Sequence, residues 1–170
     1  MTITAPEMTE SDHTDIPTIH QTITVRSVDQ QDNSIILPQA FAIAVPDTVE
    51  ADNVISIAAP QATMIARHAS GRPWLMVRMP QAYVTASTAP GTRIVVVGTC
   101  SASVEDLNRI ARRGASLSET AAEVMRFDGS FTVYALRDAT ILACGPAMQT
   151  HRVFHARIFG TTIVSDRADT

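Results

Sequence analysis

Cys100 stands just before a segment in which Ser103 can cap a helix, and a thiol at a helix amino terminus can have its pKa lowered toward a reactive thiolate. No histidine lies near it in sequence and no amine is in view to activate it, so Cys100 reads as a packing or loop thiol. Cys144, the second cysteine, lies far along the chain, and the pair reads as two buried thiols and not as a disulfide. Thr2 is a nucleophile of another kind, because a threonine freed by methionine removal carries its own base, the α-amine. A working nucleophile of that type opens the first strand, whereas Thr2 sits in a polar segment well ahead of one. His151 and His155 are four residues apart in an alternating pattern that predicts a strand, which separates them by about 13 Å and excludes a shared metal. No glycine-rich phosphate loop occurs, since Ala89-Pro90-Gly91-Thr92 lacks both the glycine spacing and a lysine.

The elements that position these residues follow from periodicity. Residues 1–32 are rich in Thr, Ser, Asp, Gln and Pro and read as a mobile polar leader, and residues 33–170 read as one domain. Short β-branched and apolar runs predict strands at Ile35–Leu37, Phe41–Val45, Val54–Ile57, Thr63–Ala66, Trp74–Met79, Tyr83–Ala86 and Ile94–Val97. Two helices then interrupt the series. Ser103 with Asp106 and Ser116 with Glu119 form capping boxes, followed by the apolar stripes Val104, Leu107, Ile110, Ala111 and Leu117, Ala121, Val124, Met125. Two hairpins close the chain: Phe131–Leu136 with Thr140–Cys144 about Arg137-Asp138-Ala139, and Val153–Ile158 with Thr161–Ser165 about Phe159-Gly160. Strands, two adjacent helices and more strands predict an α+β fold of mainly antiparallel sheets with a helical layer packed on them. Trp74 and Phe131 are expected to be core anchors.

With 170 residues, 45% of them hydrophobic, the chain can bury its own core. A net charge of −4 and 13 scattered basic residues give no cationic face for nucleic acid or anionic lipid. No apolar stretch is long enough to span a bilayer, and Glu7, Glu10, Asp12 and Asp15 occupy the place where a signal peptide would be basic and then apolar. A cytoplasmic location is expected.

From Ala66 to Thr170, three motifs are specific in combination: His68-Ala69-Ser70-Gly71-Arg72-Pro73-Trp74-Leu75, Asp128-Gly129-Ser130-Phe131, and His151-Arg152-Val153-Phe154-His155-Ala156-Arg157 followed by Ser165-Asp166-Arg167-Ala168-Asp169. Together they resemble the amino-terminal, glutaminase-like domain of the asparagine-synthetase family in its lasso-peptide-cyclase form. The resemblance implies an αββα sandwich of two mainly antiparallel sheets between helical layers, of the amino-terminal-nucleophile (Ntn) hydrolase type. It also implies a synthetase domain, in the same chain or on another, that binds ATP and Mg and activates an Asp or Glu side-chain carboxylate for attack by a peptide amino terminus. That domain's serine-glycine-glycine-x-aspartate-serine loop is absent here, so no cofactor is expected in this chain.

An active glutaminase of this family needs a cysteine as its first residue and an Asn-Gly-Glu-Ile-Tyr-Asn loop whose donors hold the oxyanion. Thr2 stands at the first place and Gly98-Thr99-Cys100-Ser101-Ala102 at the second, so no catalytic residue is expected. The leading reading is a non-catalytic scaffold domain with the synthetase domain as partner, and Arg152 and Arg167 as contacts between them. The alternatives are a domain that still hydrolyses glutamine, an amidohydrolase using Thr2, or a free-standing subunit that binds a precursor peptide or its recognition or protease proteins.

Overall fold

The computed structural model describes residues 40–145 and 152–167, which lie within one compact unit. The 1–32 leader with Thr2, the Ile35–Leu37 strand, His151 and the last three residues fall outside the described residues.

Nine strands and three helices follow in order: β1 Phe41–Ala44, α1 Ala51–Ala58, β2 Thr63–Arg67, β3 Pro73–Arg78, β4 Val84–Ala86, β5 Arg93–Cys100, α2 Val104–Arg112, α3 Leu117–Val124, β6 Gly129–Arg137, β7 Thr140–Cys144, β8 Phe154–Ile158 and β9 Thr161–Ser165. The strands form two antiparallel sheets, one in the order β2-β3-β1-β9-β8 and the other in the order β4-β5-β6-β7. The fold is therefore of the mixed, antiparallel class expected.

Three apolar clusters define the layering. Ala42, Ala44, Leu75 and Val77 of the five-stranded sheet meet Val95, Val97, Tyr134 and Leu136 of the four-stranded one, with Trp74 among them. On the far side of the first sheet, Phe41, Ile43 and Met76 pack under Ala51, Val54 and Ala58 of α1. On the far side of the second, Ile94, Val96, Phe131 and Val133 pack under Leu107, Ile110 and Ala111 of α2 and Val124 of α3. Central strands are thus covered on both faces, which is why Phe41–Ala44 and Ile94–Val97 read as continuous apolar runs and not as alternations. Phe41 and Leu75 are fully buried, each contributing about 1.5–3 kcal/mol by leaving water. Trp74 and Phe131 are buried as expected of core anchors.

Val54–Ile57, expected to be a strand, lies inside α1. Val54, Ile55 and Ile57 carry strand propensity, but Ala51, Val54 and Ala58 recur at helical spacing and meet the β1 face, and this burial outweighs a propensity difference of a few tenths of a kcal/mol per residue. Tyr83 belongs to a 3-10 turn before β4 and is exposed, not a strand residue. Val104, expected in the apolar stripe, opens α2 but is exposed. Both capping boxes are present, with the Ser103 and Ser116 hydroxyls accepting from Asp106 and Glu119 and both carboxylates returning to the cap N–H. Arg137 pairs with Thr140, so the first hairpin turns on Asp138-Ala139 alone.

Candidate functional site

At the start of β1, the first of the described strands, the structure places an apolar side chain. Ala40 is exposed, and Phe41 is fully buried with its ring in the cluster beneath α1. Beside it, Asp166 Oδ1 accepts a hydrogen bond from Ala42 N–H at 2.8 Å, and Asp166 N–H donates to Ala42 O at 3.3 Å. Asp166 thus ends the β1–β9 ladder through its side chain. The buried Tyr134 hydroxyl has its pKa pushed well up by burial and by the charge of Asp166, so it stays protonated, and it has no hydrogen-bond partner among the described residues. A neutral, unpartnered phenol is not a general base.

The Gly98–Ala102 segment, which the resemblance set against an oxyanion loop, is a strand over its first three residues. β5 continues through Cys100, and Gly98, Thr99 and Cys100 pair with Phe131, Ser130 and Gly129. The pairing is closed off by Ser101 N–H donating to Asp128 O at 2.8 Å and Asp128 N–H donating to Ser101 Oγ at 3.0 Å. The Asp128–Phe131 motif therefore meets the Gly98–Ser101 segment along one ladder. The Cys100 sulfur accepts from Ala102 N–H at 3.4 Å, and burial pushes the thiol above its ordinary value despite that bond. Burial also pushes Cys144 up, and both cysteines are free, half-buried and packed against the cluster under α2 and α3. Near neutral pH both are protonated and weakly nucleophilic, as the packing-thiol reading requires.

The motif around His68–Leu75 forms a clamp. Its turn is closed by His68 N–H to Arg72 O at 2.8 Å and by Gly71 N–H to His68 O at 3.1 Å. The buried His68 ring approaches Val45 O at 2.9 Å, and because a carbonyl only accepts, Nε2 carries the proton. Ser70 Oγ donates to Asp47 Oδ1 at 2.7 Å, while Arg72 reaches Asp47 at 3.4 Å and Asp52 at 3.7 Å. The Ser70 hydrogen bond above all, with help from Arg72, lowers the Asp47 carboxyl below its usual range. These contacts tie the β2–β3 turn to the β1–α1 connection, and the polar atoms answer one another. Asp47 and Asp52 were not singled out in the sequence; only the charge pairing with Arg72 across the fold marks them, and nothing local to either does so.

Arg152 and Arg167 are both exposed and stand at one end of the β8–β9 hairpin, each two residues beyond the Phe154–Ser165 pair. Ser165 ends β9, and its hydroxyl accepts from Arg167 N–H at 3.1 Å. His155 is exposed on β8. Among the described residues no group of three or more His, Cys, Asp or Glu side chains could hold a metal, and no helix is long and apolar enough to cross a membrane.

Two surface grooves flank α2. One, of about 450 Å³, is lined by Pro90, Gly91, Thr92, Arg112, Gly114 and Arg137, and Arg137 is engaged there with Thr92 and Gly114. The other, of about 220 Å³, lies between Arg109, Arg113 and Arg126, with Arg113 held by Glu123 at 2.8 Å. Neither contains a nucleophile paired with a base. Comparison with protein-family models, with curated proteins and with solved structures finds no match to this chain.

Proposed function

We propose that this chain is the non-catalytic, glutaminase-like domain of an ATP-dependent, asparagine-synthetase-like enzyme that forms amide bonds, of the lasso-peptide-cyclase type. The observation that carries the reading is Phe41. At the start of β1, the first described strand, where the Ntn-like reading would set a nucleophile, the chain buries a phenyl ring. The layering of α1, two facing antiparallel sheets and the α2–α3 pair supports the Ntn-like expectation, and the laddered Gly98–Cys100 segment supports the loss of an oxyanion hole.

In this reading the chain supplies a folded surface and no chemistry. The synthetase half binds ATP and Mg and activates a side-chain carboxylate, and the substrate's own amino terminus closes the amide bond. No ammonia is needed, so a glutaminase has nothing to deliver. The synthetase half seats against the end of the β8–β9 hairpin where Arg152 and Arg167 are exposed.

Co-expression of residues 1–170 with an asparagine-synthetase-like domain encoded beside it tests the reading. The wild-type pair is expected to co-purify, with recovery reduced for the Arg152→Glu, Arg167→Glu double variant. Equal recovery removes these residues from the interface, and no recovery of the wild type removes the docked arrangement.

A further inference from the structure

The five-stranded sheet runs past the cover that the four-stranded sheet gives it. Ala156 and Ile158 of β8 pack toward the cluster under α1, so His155 and Arg157 point to the other face, the one that looks toward the second sheet, and both are exposed there. Thr162, which pairs with Arg157 on β9, is exposed as well. β8 therefore combines an outer edge with which no described strand pairs and one open face.

The other edges among the described residues differ. β2 is broken by two register shifts between Met64 and Arg67, a device that blunts an edge against pairing. β4 has three residues. β7 is regular but covered on both faces, with Ile141 and Ala143 in the layer between the sheets and Cys144 under the helices. β8 keeps an unbroken ladder with β9 over five pairs, so alternate residues present their N–H and C=O groups outward in regular order.

Charge narrows the occupant. Arg157 is exposed on this edge of a chain whose net charge is −4. Arg157 spends Nε on Gly160 O at 3.3 Å and retains the rest of its guanidinium fork. A second copy adding antiparallel with Arg157 opposite Arg157 of the other chain would set like charges directly against each other, which is unfavourable. An acidic strand meets the opposite condition.

We propose that β8 is a docking edge for an extended, acidic segment of another polypeptide, which adds to the sheet as a further strand. The main-chain bonds supply affinity. Its alternate carboxylates face His155 and Arg157, and the residues between them, β-branched or small, lie beside Ala156 and Ile158 on the α1 face. This inference stands on β8 alone and goes beyond the synthetase reading.

The test titrates the isotope-labelled full chain with a synthetic peptide of alternating glutamate and valine. Two controls accompany it, the same peptide N-methylated at every second residue and a version with lysine for glutamate. Saturable binding is expected, with amide shifts concentrated at Phe154–Ile158, weakened about ten-fold by Arg157→Glu, less by Arg157→Gln, and further by raised salt. The N-methylated and lysine peptides are expected not to bind. The proposal is overturned by equal binding of the N-methylated peptide, by shifts centred on Arg109, Arg113 and Arg126, by no binding to the folded chain, or by outward β8 amides already protected from exchange in the free chain. Loss of co-purification with a synthetase half leaves it untouched, just as failure of the peptide leaves that reading untouched.

Discussion

Gly98 and Gly129 lie on facing strands, two positions apart in the β5–β6 register, and each turns the place of its missing Cβ onto the other strand's backbone. A Cβ at Gly98 would come within 2.4 Å of Ser130 O, and one at Gly129 within 2.0 Å of Thr99 O. Both residues have left-handed backbones, with φ of 125° and 143°. Only glycine allows the Gly98–Cys100 segment to close against β6.

Gly98→Ala and Gly129→Ala are accordingly expected to destabilise the protein by at least about 2 kcal/mol each, since backbone strain and overlap with backbone atoms add. Urea unfolding followed by circular dichroism measures this. Near-zero changes would mean that the two strands do not meet so closely.

Ser103→Ala and Ser116→Ala should each cost about 1 kcal/mol through loss of the helix cap. Asp106 and Glu119 have their carboxyls lowered, first by the hydrogen bonds from Ser103 and Ser116 and then by the cap N–H groups. A carboxylate depressed in the folded state adds stability that is full above the ordinary carboxylate range, about pH 4, and is lost as pH falls through the lowered folded values. The serine variants should therefore unfold with a smaller loss between neutral and acid pH than the wild type. An unchanged pH dependence would show that the boxes do not set it.

Tyr134→Phe is expected to be neutral or stabilising. The hydroxyl is buried, protonated and without a partner among the described residues, so removing it relieves a desolvation cost and breaks no bond. Thermal unfolding of the variant decides this, and a loss above about 1 kcal/mol would reveal a partner for the hydroxyl.

At the tip of the β8–β9 hairpin, Phe159 is exposed and has a left-handed backbone with φ of 51°, followed by Gly160. A two-residue turn of this hand favours Asn-Gly, and Phe159→Asn should raise stability by about 1 kcal/mol. A fall in the melting temperature would mean that the ring makes contacts that outweigh the backbone strain.

The parts of this fold that were legible in the sequence are those decided locally. Ser103 with Asp106 and Ser116 with Glu119 satisfy their own helix ends within three residues, and Phe159-Gly160 sets its own hairpin. α1 was not legible, because Val54, Ile55 and Ile57 favour a strand until Phe41 and Met76 supply a surface for a helix to cover. The placement of β1 between β3 and β9 depends on pairs such as Ile43 with Ser165, whose partners are far apart in the chain and leave no local mark. The same holds for the candidate site. That Thr2 and not a cysteine follows Met1 could be read at once, whereas the Asp47–Ser70–Arg72 clamp needed the fold to bring its members together.

The most direct test of the central claim is glutamine hydrolysis by the full chain, alone and with the synthetase half and Mg-ATP, followed as glutamate by mass spectrometry. With Phe41 at the start of β1 and both thiols held protonated, the wild type is expected to release no more glutamate than Thr2→Ala or Cys100→Ser variants. Turnover lost in either variant would contradict a non-catalytic domain and identify the nucleophile that does the work.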